Sequence, residues 1–327
     1  MKQLTLFLIP LLAVALLVGC GSDNDSGSSA TQQNTANTEP QTDPAETAGE
    51  AVALRYRFEQ GQRIDYLQKN RLVNNILTTD TVSEINIAIY CHITIDTVEA
   101  DGTATATWIN DRVIYKLQAP IGTLKFDSAD GEEPDNPAWQ QIKPMVQAIQ
   151  NAQGNFRVTT AGIVSDFKLT KELAARLKTN PAMAAIATSG QLEAVAEGLF
   201  ARLPDEPVKL NETWNTVSDL DLQGDLKVDQ ETIRTYRGEE QHDGKDLVRL
   251  DNTLRVTTKL GPEAMYKKLQ FNADATAGTE WFDLKLGWLV EESDKSVLEM
   301  EMEVSGTLVV VESTTETTLK LQPPPPQ

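Results

Sequence analysis

Histidine and cysteine are nearly missing from this chain of 327 residues, which has two of each. With only His92 and His242, a histidine-rich metal centre or a Ser-His-Asp triad has almost nothing to draw on. Two cysteines, Cys20 and Cys91, cannot build the disulfide framework of a small secreted scaffold. Positive charge is scarce as well: 29 Lys and Arg face 48 Asp and Glu, for a formal net charge of −19. A field of that sign repels phosphate backbones and anionic headgroups, which argues against nucleic acid and against a polybasic membrane face. No residue spacing calls for a cofactor or a metal, so none is expected. Long apolar runs are limited to Leu4 to Val18, and at about 15 residues this is shorter than the roughly 20 a membrane-spanning helix needs.

That short run, behind Met1 and Lys2, reads as a cleavable export signal. It closes on Leu17, Val18, Gly19 and Cys20, which resembles the lipobox of a bacterial lipoprotein signal peptide. The resemblance implies that the Cys20 thiol is diacylated, that the chain is cut before it, and that the new amino terminus is acylated. At about 0.8 kcal/mol per buried methylene, two or more acyl chains hold a protein stably on a membrane where one does not. Gly21 rather than Asp follows the cysteine, which resembles a cargo released to the outer membrane. The expectation is a lipid-anchored protein of the bacterial cell envelope. Loss of residues 1–19 removes Lys2 and takes the charge from −19 to −20. Cys91 is then the sole unmodified thiol, with no intramolecular disulfide to form. In the run Ile87 to Ile93, the strand period of two puts Cys91 with Ile87, Ile89 and Ile93 and sends His92 to the other face, so a Cys-His nucleophile is disfavoured.

Residues 20–50 are Ser, Thr, Asn, Gln, Asp, Glu, Pro and Ala apart from Cys20 and a few Gly, with no aromatic or large aliphatic residue, so they read as an acidic disordered tether. A tether of about 30 residues has a root-mean-square reach of roughly 30 Å. Residues 323–327 read as a Pro-rich tail. Between these ends, 51–322 is patterned mainly as strands. Leu54, Tyr56 and Phe58 alternate with Arg55, Arg57 and Glu59, and Leu298, Met300 and Met302 alternate with Glu299, Glu301 and Glu303. Gln60-Gly61-Gln62, Asp101-Gly102, Asp243-Gly244 and Leu286-Gly287 supply turns. A block at about 136–202 differs. Asn136 and Pro137 start a helix carrying Trp139, Ile142, Met145, Val146 and Ile149, which Pro144 should kink or restart. A second runs from Thr170 to Asn180-Pro181, and a third, broken near Ser189-Gly190, carries Leu192, Val195, Leu199 and Phe200.

The fold class expected is mainly β (α+β): a long antiparallel curved sheet or half-barrel with an inserted cluster of about three helices. The two β-rich halves share an outline, a short strand and turn before Tyr66 and before Trp214 and a later Asp-Gly hairpin, which suggests a duplicated β unit. Amphipathic helices over an apolar sheet face can enclose a pocket, and Trp108, Tyr115, Trp139 and Trp281 are the candidate lining; the competing reading is that they pack together as core. His242 sits in a polar hairpin tip and reads as solvated. Asp219 to Gly224 superficially matches a calcium loop, but Gln230 stands where Glu is needed, so a hairpin is expected. The acidic loop from Asp127 to Asp135 reads as a solvated crossover.

Four phrases, LRYRFEQGQRIDY, KPMVQAIQNAQGNFRVTTAGIVSDFKL, LPDEPVKLNETW and GTEWFDLKLGWLVEES, resemble an uncharacterised family of bacterial envelope lipoproteins over most of residues 50–320. Where that family pattern has a Gly-Asp turn before Trp214, this chain has Asn211-Glu212, and Asn tolerates the left-handed conformation. More distantly, the pattern is similar to the half-barrel with helical lid of periplasmic lipoprotein carriers. The resemblance brings no catalytic residues. The function expected is a non-catalytic scaffold or interaction module for protein partners. A carrier or sensor of apolar ligands is the alternative, and a carboxylate-based hydrolase ranks third. A cavity beneath the helices would favour the carrier, a filled core the interaction module.

Overall fold

The computed structural model describes residues 50–120, 122–184, 188–222, 226–260, 266–271, 277–304 and 307–323. The proposed signal, Cys20 and the tether before residue 50 therefore lie outside the described residues, as does the tail beyond 323.

Long alternating segments pair into one open, antiparallel, thirteen-stranded sheet. Its first half holds β1 (Arg63–Ile76), β2 (Thr81–Val98), β3 (Ala104–Ala119), β4 (Gly122–Asp127), β5 (Gln153–Val158) and β6 (Val164–Leu169). Its second half holds β7 (Thr213–Leu222), β8 (Leu226–His242), β9 (Lys245–Leu260), β10 (Tyr266–Phe271), β11 (Ala277–Asp283), β12 (Trp288–Val304) and β13 (Thr307–Leu321). The order across the sheet is β6-β5-β3-β2-β1-β13-β12-β11-β9-β8-β7, with β4 on β3 and β10 on β12. The halves share part of their course, and differ in that β4 pairs with β3 whereas β10 pairs with β12. Each begins with a three-strand meander (β1-β2-β3, β7-β8-β9) and adds a short strand (β4, β10). Each then returns to pair a fifth strand with the start of the third, β5 with Ala104 to Ile109 and β11 with Val248 to Thr253. The shared meander and returning fifth strand are what a duplicated β unit would have; the pairing of the short fourth strand is not.

The turns follow the local chemistry. Asp243 and Gly244 both have positive φ, at 49° and 77°, as a two-residue hairpin between twisted strands requires. Asn211 sits at φ 65°, the left-handed position where the family pattern carries glycine. The halves differ in what joins their short strand to the next. Between β10 and β11 lie only residues 272–276, whereas between β4 and β5 the chain inserts α1 (Trp139–Gln150). After β6 come α2 (Lys171–Thr179), the single turn α3 (Pro181–Ala184) and α4 (Ser189–Glu197).

Helix boundaries refine the sequence reading. Pro144 does not restart α1, which continues through it from Trp139 to Gln150. Ser189-Gly190 is the first turn of α4 and not a break: Thr188 caps it, with Gln191 completing a capping box. Gly198 ends that helix, so Leu199 and Phe200 follow it as buried loop residues. The segment around Tyr56 then crosses the sheet's inner face beside 201–208. Val52 and Val208 form a β-bridge, Tyr56 N donates to Thr160 O at 2.8 Å, and Leu203 N donates to Ala161 O at 2.9 Å. Around Tyr56 pack the rings of Phe58, Phe200, Phe282 and Trp288, with centroids 5.3–5.9 Å away. Each such ring buries roughly 150–250 Å², so this cluster pins the amino-terminal segment across both halves.

Candidate functional site

Trp108, Tyr115 and Trp139 are each 1% exposed. Trp108 and Tyr115 lie seven apart on β3, so strict alternation would put them on opposite faces. A bulge reconciles them: Asn110 pairs with Cys91 and Arg112 with Tyr90, leaving Asp111 as the extra residue, and the inward set shifts from even to odd numbers. Beneath α1, Trp139 stacks on Phe126 at 4.9 Å, and Phe126 is the cross-strand partner of Tyr115. Rings and aliphatic side chains thus pack directly under α1. Trp281 is elsewhere. Its neighbours Glu280 and Phe282 point inward, so Trp281 faces outward, stacked on His242 at 4.1 Å. Cys91 is buried and His92 lies on the outer face, as alternation requires; burial pushes the Cys91 thiol up to about 12.

The inner face changes character across the central strands β2, β1, β13 and β12. Continuing the parity of Ile64 and Tyr66 along β1 brings Asn70, Leu72 and Asn74 inward. Their cross-strand partners on β13 are Thr317, Thr315 and Ser313. Ser83 lies opposite Asn74 on β2, and Ser296 opposite Thr315 on β12. Where large aliphatic side chains would make a core, this patch is built of small neutral polar ones. Thr317 Oγ1 donates to Asn70 Oδ1 at 3.0 Å and Ser313 Oγ to Asn74 Oδ1 at 2.8 Å. The amide nitrogens of both asparagines have no partner, although Asn70 is 7% and Asn74 2% exposed. An unpaired buried amide costs about 1–3 kcal/mol. Gln230, inward-facing on β8, likewise has an unpartnered Oε1.

A charged cluster borders this patch. One row of directly paired residues runs Arg234, Asn252, Gly278, Asp294, Thr317, Asn70 from β8 to β1. Arg234 Nε reaches both Glu280 oxygens, at 2.9 and 3.1 Å. Asn252 Nδ2 donates to Glu280 Oε1 at 3.1 Å and to Asp294 Oδ1 at 2.9 Å. These two side chains close over Gly278, where a Cβ would lie 1.7 Å from Asp294 Oδ1 and 2.6 Å from Asn252 Oδ1. Glu292 is the cross-strand partner of Glu280. Burial, then the charges of Asp294 and Glu280, hold the Glu292 carboxyl well above the usual range, so it keeps its proton and shares it with Asp294. Burial raises Glu280 as well, opposed by Arg234. One guanidinium and three carboxyls thus share a single buried cluster. These acids were not singled out from the sequence; the signal was parity with Phe282 for Glu280, while the bulge at Val290 hid Glu292.

On the outer face, both histidines join carboxylates, which corrects the reading of His242 as a solvated tip residue. His92 Nδ1 lies 2.7 Å from Asp111 Oδ2, beside Asp65, and His242 Nε2 lies 3.3 Å from Glu291 Oε2, beside Asp243. The protein's own cations already occupy both clusters. Arg63 is 2.7 Å from Asp65, and Lys320 is 2.9 Å from both Asp243 and Glu291. The segment resembling a calcium loop pairs as a hairpin, Asp219 with Asp229, with residues 223–225 outside the described residues. In the acidic loop, Glu133 is held by Lys143 at 2.6 Å, and Asp127 by Arg112.

No protein-family model matches the chain, and no curated protein is significantly similar to it. Among solved structures, lipovitellin, described for its lipid-protein interactions, is similar over 83% of this chain and 26% of its own, at 13% identity and a TM-score of 0.39. A Bacteroides fragilis protein described as a putative exported protein with a YmcC-like fold matches over 83% of this chain and 100% of its own, at 8% identity and a TM-score of 0.23. A DUF1329 family protein from Desulfovibrio piger matches over 80% and 87%, at 10% identity and a TM-score of 0.15. The chain spans about a quarter of lipovitellin's length. At TM-scores below 0.5, these likenesses decide neither family nor function.

Proposed function

We propose that this protein is a non-catalytic binding module of the bacterial cell envelope, held at the outer membrane by acyl chains on Cys20. Its ligand-contacting surface is the small polar patch on the inner face of the central strands. The supporting observation is the pair of amide nitrogens, on Asn70 and Asn74, that are more than nine-tenths buried and unpartnered. Tyr56 Oη and Trp108 Nε1 are unpaired singly within the apolar core, whereas on β1 two like donors lie unpaired on one face, the arrangement a ligand's acceptors would complete. The packed rings under α1 do not support the apolar pocket between sheet and helices, so the binding surface moves to the polar patch. The three carboxyls serve as structure in this reading, since Arg234, Asn252 and one another take up their oxygens.

The reading is tested by native mass spectrometry of the full acylated protein released from detergent. The wild type should carry a non-covalent adduct beyond its acyl chains, and the folded Asn70→Leu/Asn74→Leu variant should lack it. An adduct retained equally by the variant, or absent from both, overturns the reading.

A further inference from the structure

We propose that the molecule received by this face is neutral and oxygen-rich, a short uncharged saccharide being the simplest member of the class. The inference rests on the binding reading above and specifies its ligand. Three observations select the class. First, the patch itself is uncharged: Asn70, Asn74, Ser83, Ser296, Ser313, Thr315 and Thr317 have no ionisable group. Second, the open valences that β1 turns to the inner face, on Asn70 and Asn74, are N–H donors, so the ligand must bring acceptor oxygens there. A metal ion or an ammonium group has no acceptor to offer these two amides. Third, Asp294, paired with Thr317 at the edge of the patch, belongs to a buried cluster of three carboxyls around a single guanidinium. A phosphate or carboxylate would have to approach those carboxyls in a setting with little water to screen it. Hydroxyl and ether oxygens meet all three conditions, because a hydroxyl accepts from an amide and donates towards a carboxylate or a threonine.

Dimensions agree with a short chain of such groups. Asn70 and Asn74 are four residues apart on β1, about 14 Å at the usual rise of a strand. Leu72 stands between them, flanked by Ile85 on β2 and followed by Leu298 and Val311 on the neighbouring strands. These aliphatic side chains offer contact to the C–H surface of a sugar ring, while the amides and hydroxyls on either side fix its oxygens.

The test is backbone hydrogen exchange on the full acylated protein in neutral detergent. Four probes are compared: maltotriose, triacetylchitotriose, trigalacturonate and spermine. The expected result is that at least one of the two neutral trisaccharides slows exchange in β1 and β13, and that Asn74→Leu weakens this at least tenfold in half-saturating concentration. Protection by spermine or trigalacturonate with none from the neutral sugars overturns the neutral class and leaves the binding reading standing. No protection by any probe also overturns the neutral class, while the adduct measurement decides separately whether the face binds anything. Protection confined to the helices, or unchanged in Asn74→Leu, overturns the placement.

Discussion

Gly278→Ala is the most demanding single substitution the structure offers. The added Cβ would meet Asp294 Oδ1 at 1.7 Å, Asn252 Oδ1 at 2.6 Å and the backbone oxygen of Ser293 at 2.7 Å. The two side chains must swing away, which breaks the bond from Asn252 Nδ2 to Asp294 Oδ1 at 2.9 Å and loosens the one to Glu280 Oε1 at 3.1 Å. Each is a hydrogen bond to a carboxylate, and bonds to charged groups contribute about 1.5–3 kcal/mol apiece. Crowding the neighbouring β12 backbone adds about 1–3 kcal/mol. The expected loss is therefore about 4–8 kcal/mol, enough to unfold a domain of ordinary stability. Equilibrium urea denaturation provides the assay, with Gly190→Ala as its control. Gly190 lies in the first turn of α4 with nothing within 4 Å of a Cβ, so that change should be neutral or stabilise by up to about 1 kcal/mol. A loss at Gly278 below about 1 kcal/mol would refute the closed geometry of the cluster.

Three further outcomes follow. Burial, reinforced by Glu193, raises the Glu197 carboxyl from 4.5 to about 8, so the folded state binds a proton the unfolded state releases. Stability from this group is thus full below pH 4.5 and falls as pH rises towards 8. The shift of 8 − 4.5 = 3.5 corresponds to roughly 5 kcal/mol as an upper bound and about 2–3 after screening, so Glu197→Gln should gain that much over wild type between pH 5 and 8 in thermal melts. Equal melting differences at both pH values would contradict it. Trp139→Ala removes the stack on Phe126 and should cost about 3–5 kcal/mol in the same denaturation assay. Cys20→Ser should abolish acyl labelling and processing before residue 20; a variant still labelled and cut there would remove the anchor from the account.

Much of this architecture was legible because local chemistry and tertiary structure agree. Asp243-Gly244 needed positive φ at two positions, Asn211 at one, and each has it. Thr170 and the Asn180-Pro181 pair bounded α2 as written. What alternation could not reveal were the bulges. The extra residue Asp111 brings Trp108 and Tyr115 to one face, and Val290 sends Glu292 inward, since a single inserted residue reverses every side chain beyond it. Trp281 was misplaced for a different reason. Aromatic character suggested the interior, but its strand parity assigned it to the outer face beside His242. The polar patch was readable in principle, since Asn70 and Asn74 share parity with Tyr66, yet polar residues in a strand ordinarily mark the wet face.

The central claim is that the Asn70 and Asn74 amide nitrogens await a ligand's acceptors and add nothing to the stability of the sheet. Equilibrium urea denaturation of the Asn70→Leu/Asn74→Leu variant without added ligand measures this directly. Leucine at both positions removes two unpaired N–H groups but also the acceptors of the Thr317 and Ser313 hydroxyls; at about 1–3 kcal/mol each the two effects offset, and stability should stay within about 2 kcal/mol of the wild type. A loss of more than about 2 kcal/mol would show that the amides are structural and would contradict the account.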